Sequence, residues 1–474
     1  MSVFSFHTFM FPFRWKIKDL DDRPFSEQID LNNIHYAQSP SWERLTEPTG
    51  EEADSLYNER NYFYEFVHPA LYDNNSDYTI IRHFERREPK NAEVTYRIVC
   101  GSAKQVYDLD VQAINLNLYS TGVGVLSIYM KNTRYADAQS VLNINQYGRR
   151  VFPPFIADIN NRGQIAHSLT FEGLYGVYEE DFTRYNNKVK SSMPASFIVK
   201  MVNEVAENIE LQPVIDDRMF VLCWYKNTDW AKKFLEDYAG FMDDDKHWYE
   251  FVFVDNYNDL SCQNEAMRRD LIKNATYERW QEYSSLYGVS RYSMVYLTNS
   301  DCPEYLTNYF ETEYARMAEL VLMQRATVLR FSSEVTHISN MSTGKGFGTR
   351  VNSLYKEYIR FENQIYFREV SAQDQGIEMY QKLFDAMNLK EHVEKLDEEI
   401  EELYNYVSMR EERRTNRTMS LLTWITTIFL PVTVVAGFFG MNDQNENMVF
   451  QSVVMACFTA LVIMIVLTIN KKRV

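Results

Sequence analysis

Residues 418–442 carry no charged side chain and read Thr418-Met-Ser-Leu-Leu-Thr-Trp-Ile-Thr-Thr-Ile-Phe-Leu-Pro-Val-Thr-Val-Val-Ala-Gly-Phe-Phe-Gly-Met-Asn442. A second uncharged run extends from Asn447 to Asn470. A helix needs about 20 apolar residues to cross about 30 Å of hydrocarbon, and both runs are long enough. The sequence therefore predicts two C-terminal transmembrane helices, at 419–441 and 448–470.

The two predicted spans form a tight hairpin, because only an outer loop at 442–447 separates them. Lys and Arg close to spans stay on the cytoplasmic side. The flanks fit this rule, since a short basic tail at 471–474 follows the second span and four arginines precede the first: Arg410, Arg413, Arg414 and Arg417. We therefore expect a multi-pass membrane protein with both termini in the cytoplasm.

The end of the first predicted span carries a recognisable motif. Ile428-Phe-Leu-Pro431 is followed by Gly437-Phe-Phe-Gly-Met-Asn442, and a second span follows at the C-terminus. In this placement the segment Gly440, Met441 and Asn442 closely resembles the signature of the CorA-type magnesium channels. The resemblance implies a funnel-shaped homopentamer in the bacterial inner membrane, with the first span innermost and Gly440-Met441-Asn442 as the selectivity filter.

Composition limits the classes of function. The chain has 474 residues, a net charge of −17 and a mean hydropathy of −0.40, so much of it is polar. This net charge argues against a duplex nucleic-acid binder, because phosphate neutralisation needs clustered Lys and Arg, and no direct nucleic-acid binding is expected. The five cysteines are scattered and suggest no disulfide framework. Because the sequence shows no catalytic triad motif, no metalloenzyme motif and no complete phosphate loop, we predict that it is not an enzyme.

The first 302 residues are predicted to form a cytoplasmic α/β sensor domain with a mostly antiparallel sheet. Phe9, Phe11, Phe13 and Trp15 alternate as in a half-buried strand rather than a signal peptide. Further strands are predicted at 78–84, 94–100, 114–119, 123–130, 219–225, 248–254 and 292–297, and helices at 137–147, 230–241 and 265–287. Such a mixture is typical of a layered α/β domain.

Residues 303–418 are predicted to form a helical stalk, with helices at 311–338 and 352–381. An apolar seam then steps by three and four residues, as in a coiled coil, through Val393, Leu396, Ile400, Leu403 and Val407. The acidic residues beside the seam fit either a solvated surface or a cation sensor. We expect one continuous helix from about 380 to 441 that links the stalk to the first span.

A polar stripe on that helix is the candidate pore lining. Residues three and four apart share a helix face, and this one comprises Asn416, Met419, Leu422, Thr426, Leu430, Thr433 and Gly437. Small residues in such a stripe can instead serve close packing between membrane helices. The resemblance to the CorA-type channels favours the pore, because the matching positions line it in that family.

The chemistry of the pore follows from the cation. Mg²⁺ dehydrates reluctantly, so a ring of Asn442 amides can hydrogen-bond its waters without removing them, as the resemblance implies. Asp443 and Glu446 in the outer loop would raise the local cation concentration. The loop lacks the Met-Pro-Glu that usually follows the motif, and this leaves Mg²⁺, Co²⁺, Ni²⁺ and Zn²⁺ open as cargo.

Two functions follow. The first is an oligomeric divalent-cation channel, closed when intracellular cations bridge carboxylates; Asp243, Asp244 and Asp245 are candidates, although an acidic turn is the alternative. The second is a ligand-gated membrane effector, since the chain is also similar to CorA-like proteins associated with bacterial CRISPR defence. In that case a nucleotide-type messenger would bind the extended soluble part, which is rich in aromatic residues. The whole chain contains 33 Tyr and 30 Phe.

Overall fold

A computed structural model describes residues 2–440, apart from 47–56, 77, 102, 152–164, 186–192, 216–217, 245, 256–259 and 342–345, together with a few isolated positions between 452 and 463. The described chain divides into two compact units, Met1–Ile400 and Glu401–Val474. The first unit holds the sheet and most of the helices.

Thirteen strands form one sheet within the described residues. They are β1 Ser5–Ile17, β2 Trp42–Arg44, β3 Ile81–Arg86, β4 Thr95–Cys100, β5 Gln105–Tyr119, β6 Val123–Asn132, β7 Ser168–Glu172, β8 Tyr178–Asp181, β9 Ile209–Pro213, β10 Phe220–Lys226, β11 Thr276–Tyr277, β12 Ser285–Val289 and β13 Ser293–Thr298. The order is β11-β12-β13-β10-β1-β6-β5-β4-β7-β8, with β9 on β1, β3 on β5 and β2 on β3. Among the described pairs only β10 with β13 is parallel, which confirms the predicted, mostly antiparallel sheet.

The helices lie before, between and after the strands. They are α1 Phe25–Gln28, α2 Tyr57–Tyr62, α3 His68–Leu71, α4 Glu88–Asn91, α5 Ala138–Gly148, α6 Ser196–Asn203, α7 Thr228–Glu236, α8 Tyr238–Asp244, α9 Lys246–Phe253, α10 Glu265–Ala275, α11 Glu304–Glu311, α12 Glu313–Ser339, α13 Phe347–Gln364, α14 Asp374–Ala386 and α15 Leu389–Gly440. Helices from α11 onward follow without an intervening strand in the described chain.

The first strand is the centre of the sheet and is buried on both faces. Phe9 and Trp15 have no exposed surface, and neither does Met10 on the opposite face. One face meets α5, where the Phe9 ring lies against Gly148. The other face meets α12. The alternation of aromatic residues correctly predicts the strand, but the prediction of a half-buried strand is wrong because helices cover both sides.

The strands predicted at 114–119 and 123–130 are β5 and β6, which a tight turn joins into a hairpin. Gly122 has φ +73° and its amide donates to the Tyr119 carbonyl at 3.0 Å. A side chain on Gly122 would collide with Ile29 and with the guanidinium of Arg330. The turn therefore needs glycine both for its backbone conformation and for the space around it.

Two predictions in the second half of the domain are wrong. The strand predicted at 248–254 is helix α9, whose buried residues Trp248, Phe251 and Val252 are spaced for one helix face. A short aromatic run does not distinguish a strand from a buried helix. The helix predicted at 265–287 ends at Ala275 and continues into β11 and β12, where Ser284 at φ +57° makes the turn before β12.

The stalk is more broken than predicted. The helix expected at 352–381 is interrupted between Gln364 and Asp374. Buried side chains hold this break, because Gln324 donates to the Ile365 carbonyl at 2.8 Å and the Tyr380 hydroxyl donates to the Phe367 carbonyl at 2.8 Å. The helix expected to run from about 380 begins only at Leu389, after Asn388 turns the chain with φ +51°.

Candidate functional site

The last described helix carries the candidate pore residues. Helix α15 has 52 residues, or roughly 78 Å at 1.5 Å per residue. Its first turns are amphipathic, with Val393, Leu396 and Ile400 buried. From Ser408 to Thr423 every side chain is exposed in the single chain. The start of the seam is therefore buried within this chain. The coiled-coil pattern instead predicts that the seam faces a second helix.

The polar stripe falls on this helix as the spacing predicts. Exposed positions of α15 include Asn416, Met419, Leu422, Thr426, Leu430, Thr433 and Gly437. A Cβ atom built on Gly437 would have no neighbour within 4 Å. Within the described part of the chain, the positions of the stripe are therefore uncovered.

The threonine hydroxyls in the stripe are oriented by the helix itself. Thr426 donates to the Leu422 carbonyl at 2.6 Å and Thr433 donates to the Phe429 carbonyl at 2.9 Å. Each hydroxyl hydrogen is therefore used within the helix, and an oxygen lone pair remains as an acceptor. Such oxygens can accept hydrogen bonds from the water shell of a cation.

Several predicted positions lie outside the described residues. These are Met441, Asn442, Asp443 and Glu446, and almost all of the second predicted span. Gly440 is the last residue of α15. Within the part of the chain that the structure describes, no helix is both long enough and apolar enough to span a membrane.

The acidic cluster is described only in part. Asp243 is exposed near the end of α8, and its Oδ1 lies 3.9 Å from Nε of Arg269. The side chains of Asp244 and Asp245 lie outside the described residues. Among described residues, no three His, Cys, Asp or Glu side chains come together as metal ligands. The proposed cation-sensing role of this cluster stays a prediction.

An aromatic cavity of about 720 Å³ lies in the first unit, and the sequence analysis did not find it. Tyr62, Tyr287 and Tyr314 form its buried wall, and the half-exposed rings of Tyr305 and Tyr309 lie at its edge. Burial raises the pKa of Tyr314 to about 12, so its hydroxyl is neutral. The lining residues lie far apart in sequence, and no local motif joins them.

A second cavity, of about 460 Å³, is polar. It lies where β1 and β9 meet the C-terminal half of α12 and the start of α13. Its lining includes Arg14, Lys16, Arg330 and Arg350. The two cavities are separated along α12, since Tyr314 and Arg330 are 16 residues, or about 24 Å, apart on the helix.

The comparison with known protein families gives a match in the C-terminal part of the chain. A family model described as a CorA-like Mg²⁺ transporter protein matches residues 355–473, from within α13 to the C-terminal tail. The comparison with curated proteins found no match to the chain. The C-terminal quarter of this chain is therefore similar to the CorA-like Mg²⁺ transporter family.

Proposed function

We propose that this protein is the subunit of an oligomeric divalent-cation channel in the bacterial inner membrane. The observation that carries the proposal is the position of the family match, which covers α15 and the Gly440-Met441-Asn442 motif at its end. One chain supplies only two predicted spans, too few to enclose a pore. The CorA-type resemblance gives a homopentamer with α15 innermost.

The path along α15 suits a cation that keeps its water. Mg²⁺ holds its hydration shell tightly, and neutral oxygens can accept hydrogen bonds from that shell. We assign Asn442 to the outer ring, the hydroxyls of Thr426 and Thr433 to the middle and Asn416 to the inner end. Met419, Leu422 and Leu430 lie between these polar levels. Apolar rings of this kind close a pore by excluding water.

The motif is tested by cation flux. We expect Asn442→Ala to reduce Mg²⁺ entry into proteoliposomes by about tenfold or more, since the hydrogen bonds that hold the hydrated cation at the pore mouth are lost. Asn445→Ala, three residues further along the predicted loop, is the matched control and should leave flux nearly unchanged. Equal flux through wild type and Asn442→Ala would remove Asn442 from the filter.

A second candidate function is a ligand-gated membrane effector, in which a nucleotide-type messenger opens the same pore in antiviral defence. The aromatic cavity favours it, because the buried rings of Tyr62, Tyr287 and Tyr314 and the rings of Tyr305 and Tyr309 at its edge offer stacking surfaces. Stacking on an aromatic ring suits any planar base. The cavity volume is in the range of small-molecule sites.

The two candidates give different ligand responses. A messenger-gated effector stays closed until a nucleotide binds, and that nucleotide raises the unfolding temperature of wild type but not of Tyr309→Ala. A homeostatic channel conducts without nucleotide and closes as Mg²⁺ rises. Flux without nucleotide, together with no thermal shift from any nucleotide, would discard the effector candidate.

A further inference from the structure

The polar cavity contains a buried cation without an ionic partner. Arg330 on α12 is only 7% exposed. Among the residues that the structure describes, no acceptor hydrogen-bonds its guanidinium and no carboxylate lies within ion-pair distance. Its Nε is buried without a partner. The ring of Phe25 lies 5.1 Å from the guanidinium carbon, and the carboxylate of Glu334, four residues further along α12, acts on its charge without forming a described ion pair.

A buried guanidinium with no partner is costly for the fold. Removing a charge from water is unfavourable unless an opposite charge or several hydrogen bonds replace the water. Burial lowers the pKa of Arg330 to about 10, so the group nevertheless stays charged at neutral pH. The contact with Phe25 is a cation–π interaction, which replaces only a small part of the lost hydration. Glu334 offsets the cost of burial only in part, since the pKa of Arg330 is still lowered.

The neighbouring side chains already have their own partners. Arg14 donates from Nη1 to Ser333 Oγ at 3.0 Å and from Nη2 to Gln212 Oε1 at 2.5 Å. The ammonium of Lys16 lies 2.6 Å from an Asp21 carboxylate oxygen. These contacts fix Arg14 and Lys16 in the wall, and they leave Arg330 as the cation that is without a partner.

The charged side chains at the cavity are nearly balanced in number. Four cationic side chains line it, Arg14, Lys16, Arg330 and Arg350, together with the three carboxylates of Asp21, Glu210 and Glu334. Lys16 is held between Asp21 and Glu210, at 2.6 and 3.3 Å, and Arg350 lies 3.7 Å from the carboxylate of Asp22. The two lining cations that no described carboxylate pairs with are therefore Arg14 and Arg330, within a protein of net charge −17.

These features indicate the chemistry of the ligand. A divalent cation would be repelled by Arg330 and would not bind beside it. The planar guanidinium fork matches the oxygens of phosphate, which accepts charge-assisted hydrogen bonds from several arginines at once. The volume of about 460 Å³ exceeds the needs of a bare anion and has room for an organic group.

We propose that this cavity binds the phosphate group of a small phosphorylated molecule, with Arg330 as its ionic partner and Arg14 and Arg350 as further donors. The site joins β1 and β9 to α12 and α13, so an occupied site holds these elements together. The proposal goes beyond cation transport and does not depend on it, because its test measures binding and not flux.

The test uses the full chain in detergent at constant ionic strength, with inorganic phosphate, adenosine monophosphate and adenosine as probes. Calorimetry should show binding of one or both phosphate-bearing probes and none of adenosine. In Arg330→Gln the affinity should fall about tenfold or more. Arg134→Gln removes an exposed arginine paired with Asp110 elsewhere in the unit, and this matched control should leave affinity unchanged.

The stability of the ligand-free variants distinguishes a ligand site from a structural arginine. We expect ligand-free Arg330→Gln to unfold at the same temperature as wild type or higher, because the uncompensated charge is gone. Binding of free phosphate alone would indicate an inorganic ligand, and tighter binding of the monophosphate an organic phosphate. The proposal is overturned if neither phosphate probe binds, if adenosine binds equally well, or if Arg330→Gln lowers stability while binding is retained. If Arg330→Gln does not fold, Arg14→Gln replaces it and should weaken binding.

Discussion

At the scale of single residues, the first unit contains buried polar side chains that hydrogen-bond to one another. His7 in β1 is fully buried, with Nδ1 2.7 Å from Asn145 Oδ1 and Nε2 2.8 Å from Ser5 Oγ. Asn132 donates to Ser5 Oγ at 2.8 Å, so the serine hydroxyl is left to donate to the imidazole. This chain of contacts fits a neutral imidazole that carries its proton on Nδ1.

Acid should therefore destabilise the first unit through its buried histidines. Burial lowers the pKa of His7 from 6.5 to about 4, and burial followed by the charge of Arg316 lowers the pKa of His83 to about 4. Between these values the unfolded chain binds more protons than the native one. Stability should fall as pH drops from 6.5 towards 4, by about 1.4 kcal/mol per pH unit for each histidine.

The measurement is thermal or chemical unfolding between pH 7.5 and 4.5. His7→Gln should be less stable at neutral pH but should lose less stability on acidification than wild type. His35→Gln, at an exposed position, serves as the control and should keep the slope of wild type. If His7→Gln and wild type showed the same pH slope, the neutral buried histidine would not be the cause.

At the scale of elements, the start of α15 is a structural part of the first unit. Leu396 and Ile400 are each 1% exposed. Asp397, on the same helix, adds to the effect of burial in raising the pKa of Tyr358 on α13. The beginning of the long helix is thus packed against the helices of its own chain, and a change in that packing reaches α15 directly.

Replacing a seam residue should weaken this packing. Leu396→Ala is expected to lower the free energy of unfolding by about 2–5 kcal/mol, the usual range for a buried leucine in a core that cannot collapse around the cavity. Glu398→Ala, at an exposed position two residues away, should change it by less than about 0.5 kcal/mol. Chemical unfolding of the two variants in parallel checks the difference; similar small effects would show that the seam is not buried in the folded protein.

The helices and strands of the first unit show which parts of the fold can be predicted from local sequence patterns. Strands and helices with a clear period were predicted correctly, among them β1, β5, β6 and α5. The aromatic run that forms helix α9 was predicted to be a strand. The break between α13 and α14 depends on hydrogen bonds from distant residues, Gln324 and Tyr380, which no local window contains.

The candidate sites differ in the same way. The polar stripe of α15 is local, so spacing alone placed it on one helix face. The aromatic and arginine cavities are built from segments hundreds of residues apart, such as Arg14 and Arg350. A buried arginine such as Arg330 is indistinguishable in sequence from the many exposed ones, and only its burial without a partner marks it.

At the scale of the whole molecule, one chain combines an α/β unit with a C-terminal segment that is similar to the CorA-like family. The first unit has cavities of about 460 and 720 Å³, in which ligands can alter packing around α12 and α13. The C-terminal segment supplies the long helix with its exposed polar face. The central claim is that this helix lines a path for divalent cations.

Uptake of Mg²⁺ by proteoliposomes that contain the purified full chain and a trapped Mg²⁺ indicator tests that claim most directly. A protein ending at Arg417 is the control, because it lacks both predicted spans and the Gly440-Met441-Asn442 motif. With the soluble side exposed to nucleotides and low Mg²⁺ in parallel samples, we predict protein-dependent Mg²⁺ entry in at least one condition and none with the shortened chain. Entry no faster than in protein-free liposomes under every condition would contradict the account.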